Sequence, residues 1–330
     1  MKGDPPKIRW GVLGYARIAR DSVIPAILRS SNSVLHAVAS RQETNLTACR
    51  EKFPTPVVYS DYEALLRDPD VDAVYIPLPN SMHWEWTIRA AENGKHILCE
   101  KPLCLNAAQC REMIAACADN HVLLMEAFMY RYTERTRQVL EVLRSGALGE
   151  INFITSTFRF FYTNQDSIKF KPDLGGGSLY DAGCYPVNFI GMVMDEINRD
   201  RPDAAVPDNI SAQSIRQNGV DLVYSALLKY PSGLIAAVHS GYNTQKHVHS
   251  EISGSRGALV IPDTFFDNPG ALTLISGQER REIPVAESDR YRLEVEDFAD
   301  AILRKRAPQL SLAETQRNME VLERLQAAAK

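Results

Sequence analysis

The sequence predicts an α/β protein in which a doubly wound parallel sheet is followed by a second α/β domain with a large, mainly antiparallel open sheet. Three observations lead to this prediction. Short apolar runs alternate with helical patterns in the first part of the chain, successive hairpin patterns replace them further on, and a length of 330 residues favours two domains. We place the first domain at residues 1–127 and the second at residues 128–330.

The first domain begins with a strand predicted over residues 7–14, a helix over 17–30 and a second strand over 34–40. The segments "DAVYIPL", "HILCE" and "VLLMEAF" continue the series of strands, with helical patterns between them. These strands are almost continuously apolar, which is typical of strands that are covered on both faces. Strands and helices that alternate in this way predict a parallel sheet with right-handed crossovers.

The second domain begins with a helical pattern near residues 133–145 and a long strand over 151–161. The strand patterns "DLVYSALLKY" and "LIAAVHSGY" are joined by a turn with Pro231 and Gly233, which predicts a hairpin. An antiparallel sheet often has helices on one face and leaves the other face free. A free face with apolar residues suits contact with a second copy, so we expect a homodimer or homotetramer through this sheet.

Composition and charge exclude several classes of protein. A net charge of −4 gives no electrostatic footprint for nucleic acid. The chain shows neither a secretory signal nor an apolar run long enough to cross a membrane, so we expect a cytoplasmic protein. Its six cysteines include no C-x-x-C pair, which favours buried thiols over a disulfide framework or a zinc site. His247 and His249 alternate along a predicted strand and favour a polar sheet face over a metal site, so no metal is expected.

The segment "GVLGYARIA" joins the first strand to the first helix. Dinucleotide-binding Rossmann domains carry G-x-G-x-x-G at this point, and this chain has G-x-A-x-x-A starting at Gly14. The strand before it and the helix after it favour cofactor binding over an ordinary tight turn, with the helix N-terminus facing the pyrophosphate. The residues expected to bind the cofactor here are Gly14, Tyr15, Ala16, Arg17 and Ile18.

The end of the second strand distinguishes between the two nicotinamide cofactors. NAD enzymes usually place an acid there, on the ribose hydroxyls, whereas this chain has Ser40 and Arg41. A hydroxyl and a guanidinium suit a 2′-phosphate, so we predict a preference for NADP(H). Glu43 is close enough in sequence to keep NAD(H) possible, and a solvated surface arginine is the alternative interpretation of Arg41.

The segment "IPLPNSMHWEWTIRAAENGKHILCEKPL" resembles the Gfo/Idh/MocA oxidoreductases, through Asn80, His83, Gly94-Lys95-His96-Ile97 and Glu100-Lys101-Pro102. That family contains glucose–fructose oxidoreductase, inositol and pentose dehydrogenases and dimeric dihydrodiol dehydrogenase. The resemblance implies hydride transfer between a nicotinamide and a sugar-like carbinol or carbonyl, with Lys101 beside both. It also implies that the cofactor channel is lined by Pro77, Leu78, Asn80, His83, Glu100 and Lys101. From the residues alone, Lys101 could be a surface lysine at a strand end, and His83 a helix-start histidine that bonds to the backbone.

The segment "GGGSLYDAGCY" supplies the expected catalytic acid and base. On a regular helix Asp181 and Tyr185 lie on one face, although Pro186 restricts the next turn. Members of the family carry histidine or tyrosine here, and this chain resembles the tyrosine branch of dihydrodiol and pentose dehydrogenases. We predict Tyr185 as general acid/base, Lys101 as its electrostatic partner and substrate ligand, and Asp181 as the residue that orients sugar hydroxyls or the lysine. A packed aromatic and a helix cap are the alternatives for Tyr185 and Asp181.

The glycine run 175–177 precedes this acid–tyrosine pair and lacks the lysine and the strand–helix context of a phosphate loop. We predict that it is close-packed backbone at the wall of the pocket. The whole sequence therefore predicts an NADP(H)-preferring oxidoreductase that acts on a cyclic sugar, keto-sugar or related polyol, free or nucleotide-linked. Two alternatives stay open: assistance to glycoside hydrolysis or elimination by a tightly held NAD(H), and a non-catalytic dinucleotide sensor.

Overall fold

The computed structural model describes residues 6–54, 57–200 and 202–329. By its contacts the chain divides into two compact units. The first contains the residues up to Met129 together with Arg290–Thr315, and the second contains Tyr130–Asp289 together with the residues from Gln316 onward. The sequence suggests a domain boundary at residue 127. This boundary stays a prediction.

The first unit is built on a six-stranded parallel sheet with the strand order β3-β2-β1-β4-β5-β6. The strands are β1 Ile8–Leu13, β2 Ser33–Ala39, β3 Val57–Tyr59, β4 Ala73–Ile76, β5 His96–Glu100 and β6 Leu124–Ala127. Strand order reverses between β1 and β4, the kind of point at which open α/β sheets bind ligands. All four residues of β4 are buried, which confirms the prediction of strands covered on both faces.

Five helices accompany this sheet: α1 Ile24–Arg29, α2 Glu43–Lys52, α3 Tyr62–Leu66, α4 His83–Glu92 and α5 Ala107–Asp119. The first of them differs from the regular helix predicted over residues 17–30, because a π-helical turn, Ala19–Val23, precedes α1. Pro25 has no N–H to donate to the carbonyl four residues earlier, and this is a sufficient reason for the wider turn.

The second unit contains an eight-stranded sheet with the order β14-β13-β12-β11-β7-β10-β9-β8. Its strands are β7 Ile151–Phe161, β8 Asn209–Gln217, β9 Val220–Lys229, β10 Ile235–Gly241, β11 Asn243–Gly254, β12 Ala258–Pro262, β13 Gly270–Ser276 and β14 Glu279–Val285. Strands β7 and β10 pair in parallel, and the other described neighbours are antiparallel. The expected large, mainly antiparallel sheet and the hairpin at β9–β10 are therefore confirmed.

Helices α6 Glu134–Arg144 and α7 Cys184–Ile197 belong to the second unit, and α7 packs on β7 and β10. Ile154 on that face of β7 is fully buried, whereas Phe153 next to it is 39% exposed. Leu227 and Ile235 on the neighbouring strands are also exposed. One face of the sheet therefore carries helices, while apolar side chains on the neighbouring strands remain exposed.

Two helices close the chain: α8 Arg290–Arg304, which packs on α1 in the first unit, and α9 Leu312–Ala328. Short 3-10 helices lie at Asn80–Met82, Met129–Tyr132, Ile168–Phe170, Pro172–Leu174 and Pro202–Ala205. All six cysteine side chains are buried, as predicted. Among the residues that the structure describes, no helix combines the length and apolarity that a bilayer crossing requires.

Candidate active site

The loop after β1 depends on the glycine that the sequence pattern singles out. Gly14 has a φ of +109°, which side-chain-bearing residues rarely adopt, and a Cβ there would lie 3.0 Å from Cδ2 of Leu78. Its N–H donates to the carbonyl of Ala39 at 2.8 Å and so fixes the loop to the end of β2. Glycine is therefore favoured at this position by its conformation, and the absence of a Cβ leaves room for the Leu78 side chain.

A cavity of about 180 Å³ opens beside this loop. Its lining residues are Gly14, Tyr15, Ala16, Ser40, Arg41, Gln42, Asn45, Tyr62, Pro77, Leu78 and Pro79. Seven of these eleven were expected at the cofactor from the sequence. The other six residues expected there are not part of the lining: Arg17, Ile18, Asn80, His83, Glu100 and Lys101. No sequence pattern indicated Gln42, Asn45, Tyr62 and Pro79, because they reach the cavity from the starts of α2 and α3 and from the loop after β4.

The end of β2 presents a hydroxyl and a guanidinium to this cavity. Ser40 is buried, and its Oγ accepts from the N–H of Gln42 at 3.2 Å and from Nδ2 of Asn45 at 3.3 Å. The Arg41 guanidinium lies over the Tyr62 ring, 5.5 Å from its centre, in a cation–π contact. These residues fit a phosphate better than they fit a pair of ribose hydroxyls, because anions are bound by donors and cations.

Glu43 is the acid that kept binding of NAD(H) possible, and in the structure its side chain pairs with Arg50. Its Oε1 lies 3.3 Å from Nη1 of Arg50, and both side chains are largely exposed. Glu43 does not line the described cavity.

His83 is fully buried at the start of α4. Its Nδ1 lies 3.0 Å from the carbonyl oxygen of Pro102, and its Nε2 lies 2.8 Å from that of Leu78. Burial lowers the pKa of His83, against the raising effect of these carbonyls. The side chain therefore joins the loop after β4 to the segment after β5, which is the backbone-bonded interpretation that the sequence left open.

Lys101 directly follows β5, at the carboxyl end of the parallel sheet, and its peptide bond to Pro102 is cis. The preceding Glu100 accepts from the backbone N–H of Lys101 at 3.3 Å and from the hydroxyl of Tyr75. The Lys101 side chain is half-buried. Its place agrees with the edge at which such sheets bind ligands.

Glu126 in β6 is a buried acid near Lys101 that the sequence analysis missed. It accepts from the N–H of Leu103 at 2.9 Å, and this contact and the Thr315 hydroxyl both act to lower its pKa. Burial raises the pKa of Glu126 to about 7, the neighbouring Glu100 adds to this, and the charge of Lys101 opposes it. The available signal was an acid inside the otherwise apolar strand pattern "VLLMEAF".

In the second unit, Asp181 and Tyr185 do not lie on one regular α-helix. Asp181 belongs to a π-helical turn, Leu179–Gly183, and Tyr185 is the second residue of α7. Pro186 lacks the N–H that would bond to the carbonyl of residue 182, so the turn before it departs from α geometry. Regular α-helix therefore begins at Cys184, next to Tyr185, and the turn that contains Asp181 is wider than an α-helical turn.

Tyr185 is 5% exposed and lies in an aromatic cluster of the second unit. Its ring centre is 5.3 Å from those of Phe158 and Phe265 and 6.1 Å from that of Tyr130. Asn188, one turn further along α7, accepts from the hydroxyl of Tyr130 at 2.6 Å. The ring of Tyr185 is therefore held firmly by packing, which fixes where its hydroxyl can point.

The Asp181 carboxylate has two partners in the same unit. Its Oδ2 pairs with the Lys169 ammonium and lies 3.1 Å from the hydroxyl oxygen of Tyr242. Neither partner was expected from the sequence, because Lys169 lies in a short 3-10 helix and Tyr242 lies at the turn after β10.

The glycine run is close-packed, as predicted. A Cβ on Gly176 would lie 2.6 Å from the backbone oxygen of Lys169, and one on Gly177, whose φ is +117°, would lie 2.4 Å from Oδ1 of Asp221. The other oxygen of Asp221 accepts from the hydroxyl of Ser178 and the N–H of Leu179, both at 2.7 Å. The run therefore packs against the protein's own backbone and a buried carboxylate.

His247 and His249 have ring centres 5.7 Å apart, on the same side of β11. Burial is the main cause that lowers the pKa of His249, and the neighbouring His247 adds to it. Two histidine rings stacked on one side of β11 fit the predicted polar sheet face.

The Gly14 loop, the cavity beside it and the two sheets define an α/β protein with a dinucleotide-binding unit. Two family models match the chain: residues 8–128 match the oxidoreductase family with an NAD-binding Rossmann fold, and residues 136–260 match the GFO/IDH/MocA C-terminal domain. The chain belongs to the Gfo/Idh/MocA family of oxidoreductases, as its motifs predict.

Two relatives show the range of activities named in the family. D-xylose 1-dehydrogenase (NADP(+)) 2 of Haloferax volcanii is 36% identical and aligns over 97% of each chain. A trans-1,2-dihydrobenzene-1,2-diol dehydrogenase of Xenopus laevis is 30% identical over 93% of this chain and 94% of its own.

Solved structures are similar over nearly the whole chain. A 3-ketoreductase from Actinomadura kijaniata, in complex with NADP and TDP-benzene, has a TM-score of 0.90 at 28% identity, with 98% of each chain covered. An aldose-aldose oxidoreductase from Caulobacter crescentus has a TM-score of 0.88 at 25% identity, with 98% of this chain and 97% of that chain covered.

Proposed function

We propose that this protein is an NADP(H)-preferring oxidoreductase that transfers hydride between the nicotinamide and a carbon–oxygen centre of a cyclic sugar, keto-sugar or related polyol. The observation that carries the proposal is the cavity beside Gly14, where Ser40 and Arg41 end β2. None of the described residues that line it is acidic. Charge and hydrogen bonding there favour a cofactor with a 2′-phosphate.

The relatives support both parts of the proposal. The dehydrogenase from Haloferax volcanii is named for D-xylose and NADP(+), and the ketoreductase from Actinomadura kijaniata was solved with NADP. Their names describe oxidation of a sugar carbinol and reduction of a ketone, which are the same reaction in opposite directions. Either direction is therefore compatible with the residues of this chain.

The chemistry requires a group that exchanges a proton with the substrate oxygen. A bound nicotinamide would accept the hydride in the oxidation and supply it in the reduction. Tyr185 as a phenolate would take the hydroxyl proton in the oxidation, and as a neutral phenol it would return that proton to the oxygen in the reduction. Lys101 supplies a positive charge that favours the phenolate and the developing alkoxide. Asp181 accepts a hydrogen bond from a substrate hydroxyl and so orients the substrate.

Structures of variants of the ketoreductase support these two assignments. They include a tyrosine-to-phenylalanine variant and lysine-to-alanine and lysine-to-glutamate variants, each bound to NADP and TDP-benzene. The replaced residues are numbered one higher in that chain than Tyr185 and Lys101 are in this one.

The test is a panel of aldoses, keto-sugars and dihydrodiols, followed through NADPH absorbance with each cofactor. We expect turnover of at least one sugar or polyol, and a loss in kcat of roughly a hundredfold or more in Tyr185→Phe and Lys101→Met. Cofactor binding, measured by fluorescence titration, should remain in both. Tyr162→Phe and Lys171→Met are matched controls in the second unit and should keep normal kcat. Near-normal turnover in Tyr185→Phe would remove the assigned acid/base.

Cofactor preference has its own test. Arg41→Ala should lower kcat/KM for NADP(H) by roughly tenfold or more and leave that for NAD(H) nearly unchanged, because NAD(H) has no 2′-phosphate for the guanidinium to bind. Arg50→Ala, on an exposed position of the same region, is the matched control. A wild-type enzyme with higher kcat/KM for NAD(H) would contradict the preference.

We further propose that the protein forms a homodimer or homotetramer through the exposed face of the eight-stranded sheet. Phe153, Leu227 and Ile235 on β7, β9 and β10 give this face an apolar character that suits contact with an identical face. Leu227→Lys should shift the mass measured by light scattering toward the monomer. A cytoplasmic location stays a prediction.

A further inference from the structure

Two residues outside the proposed machinery hold the carboxylate of Asp181. The Lys169 ammonium forms an ion pair with its Oδ2, and both side chains are about one-fifth exposed. The Tyr242 hydroxyl oxygen lies 3.1 Å from the same Oδ2 and 2.9 Å from the carbonyl oxygen of Gly177. A pair that is shielded to this extent holds its geometry better than a surface ion pair does.

The ammonium of Lys169 is itself held by aromatic rings. It lies 5.6 Å from the ring centres of Phe160 and Tyr162 and 6.0 Å from that of Tyr242. The faces of these rings attract a cation and cover the lysine side chain. Burial, and next the charge of Asp181, raise the pKa of Tyr242 well above its usual value, so the tyrosine stays a neutral hydrogen-bond donor.

The backbone places Lys169 at this point. The carbonyl of Lys169 accepts from the N–H of Gly177 at 2.9 Å, and Gly176 has no side chain that would keep the two segments apart. The N–H of Asp181 in turn donates to the carbonyl of Gly177 at 3.1 Å. The same glycine run therefore anchors both members of the ion pair, and their separation is set by the fold.

We propose that Lys169 and Tyr242 are positioning residues that hold Asp181 as an ionised, oriented hydrogen-bond acceptor for a substrate hydroxyl. The proposal rests on the proposed function, in which Asp181 contacts the substrate. A carboxylate accepts hydrogen bonds and donates none. The substrate atom that meets Asp181 is therefore a hydroxyl, and a deoxy or keto analogue at that position binds more weakly.

The test is a double-mutant cycle of wild type, Lys169→Met, Asp181→Asn and the double variant. The substrate is D-xylose, or whichever sugar of the panel is turned over fastest. Each single variant should lower kcat/KM by roughly tenfold, mostly through KM, since a hydrogen bond to a charged group is lost or misplaced. The double variant should be no worse than Asp181→Asn, and Lys169→Arg should recover most of the activity. Losses that multiply in the double variant would show that Lys169 does not act through Asp181.

Controls separate positioning from stability. Lys171→Met replaces an exposed lysine two residues further on and should leave KM unchanged. Tyr242→Phe keeps the ring and removes only the hydroxyl, so it tests the proposal even if Lys169→Met does not fold; we expect a rise in KM of about threefold or more. Normal KM in Tyr242→Phe and Lys169→Met, beside an impaired Asp181→Asn, would overturn the positioning role alone. Normal activity in Asp181→Asn would instead remove the proposed role of Asp181 and this inference with it.

Discussion

Each unit places a glycine segment before a helix that begins with a π-helical turn, but the two segments have different surroundings. Gly14 meets the end of a flexible leucine side chain and borders a cavity of about 180 Å³. A Cβ on Gly176 would lie less than 3 Å from the backbone oxygens of residues 168 and 169. In the first unit glycine leaves space for a ligand, whereas in the second it allows two stretches of the protein's own backbone to touch.

The largest expected effect tests whether close backbone packing requires glycine at position 176. Gly176→Ala should lower the free energy of unfolding by more than about 3 kcal/mol, because a Cβ forces the backbone at residue 169 to move. Gly233→Ala is the control: its φ is +89° but a Cβ would meet no atom within 4 Å, so only conformational strain of about 1 to 2 kcal/mol is expected. Urea unfolding measures both. Equal losses would mean that close packing is not what requires Gly176.

The contrast extends to the acids of the two units, since Asp181 is partly exposed and paired with a lysine while Glu126 is almost completely buried. The pKa of Glu126 is about 7 when folded, against 4.5 for an ordinary glutamate. Between these values the unfolded chain has lost the proton and the folded chain has kept it, so stability falls as pH rises through this window. The total fall is up to about 3 kcal/mol.

Glu126→Gln should remove this dependence, because glutamine does not titrate. The measurement is the difference in unfolding free energy between wild type and the variant from about pH 4 to about pH 8. A difference that stays constant over this range would show that Glu126 is ionised in the folded protein. The acid of the first unit would then be ionised in the folded protein, like the acid of the second unit.

Gly14→Ala tests whether glycine at position 14 leaves space for a ligand. We expect a smaller stability loss than at Gly176, about 1 to 2 kcal/mol, because the strain is conformational and the Leu78 side chain can move. Binding of NADP(H) should weaken by roughly tenfold, since the altered loop disturbs the cavity. Cofactor titration and urea unfolding measure the two quantities. A stability loss as large as that of Gly176→Ala, with normal cofactor binding, would show that close packing, and not space for a ligand, requires Gly14.

The smallest expected effect concerns the contact between Tyr62 and Arg41 at the cavity. Tyr62→Leu removes the ring beneath the Arg41 guanidinium, a contact worth about 0.5 to 1 kcal/mol. KM for NADP(H) should rise about two- to fivefold, with little change for NAD(H). Tyr62→Phe keeps the ring and should behave like wild type. An equal rise for both cofactors would show that Tyr62 acts on the cavity without acting through Arg41.

The sequence was sufficient for most of the fold because hydrophobic patterning and turn residues act locally. It indicated the parallel sheet, the antiparallel sheet and the glycine at the end of β1. The π-helical turns were missed, although a proline follows each of them: Pro25 lies within α1 and Pro186 within α7. A proline inside an otherwise helical pattern signals a departure from α geometry but does not specify which departure.

The candidate site was predicted only where its residues lie in contiguous motifs. Ser40 and Arg41 follow a strand directly and were found, whereas Tyr62 and Asn45 approach the cavity from separate helices. Lys169 was missed because its ion pair with Asp181 depends on how the glycine run folds back. Such contacts are set by tertiary packing, which a single sequence does not display.

Strand β7 lies at the centre of the eight-stranded sheet, yet both of its partners come much later in the chain. It pairs with β10 on one side and β11 on the other. During synthesis, both edges of β7 therefore remain unpaired until those strands have been made. Contacts between distant segments also form slowly. The step most open to aggregation in this protein is thus the interval between translation of β7 and translation of β11, and chaperone dependence should be concentrated there.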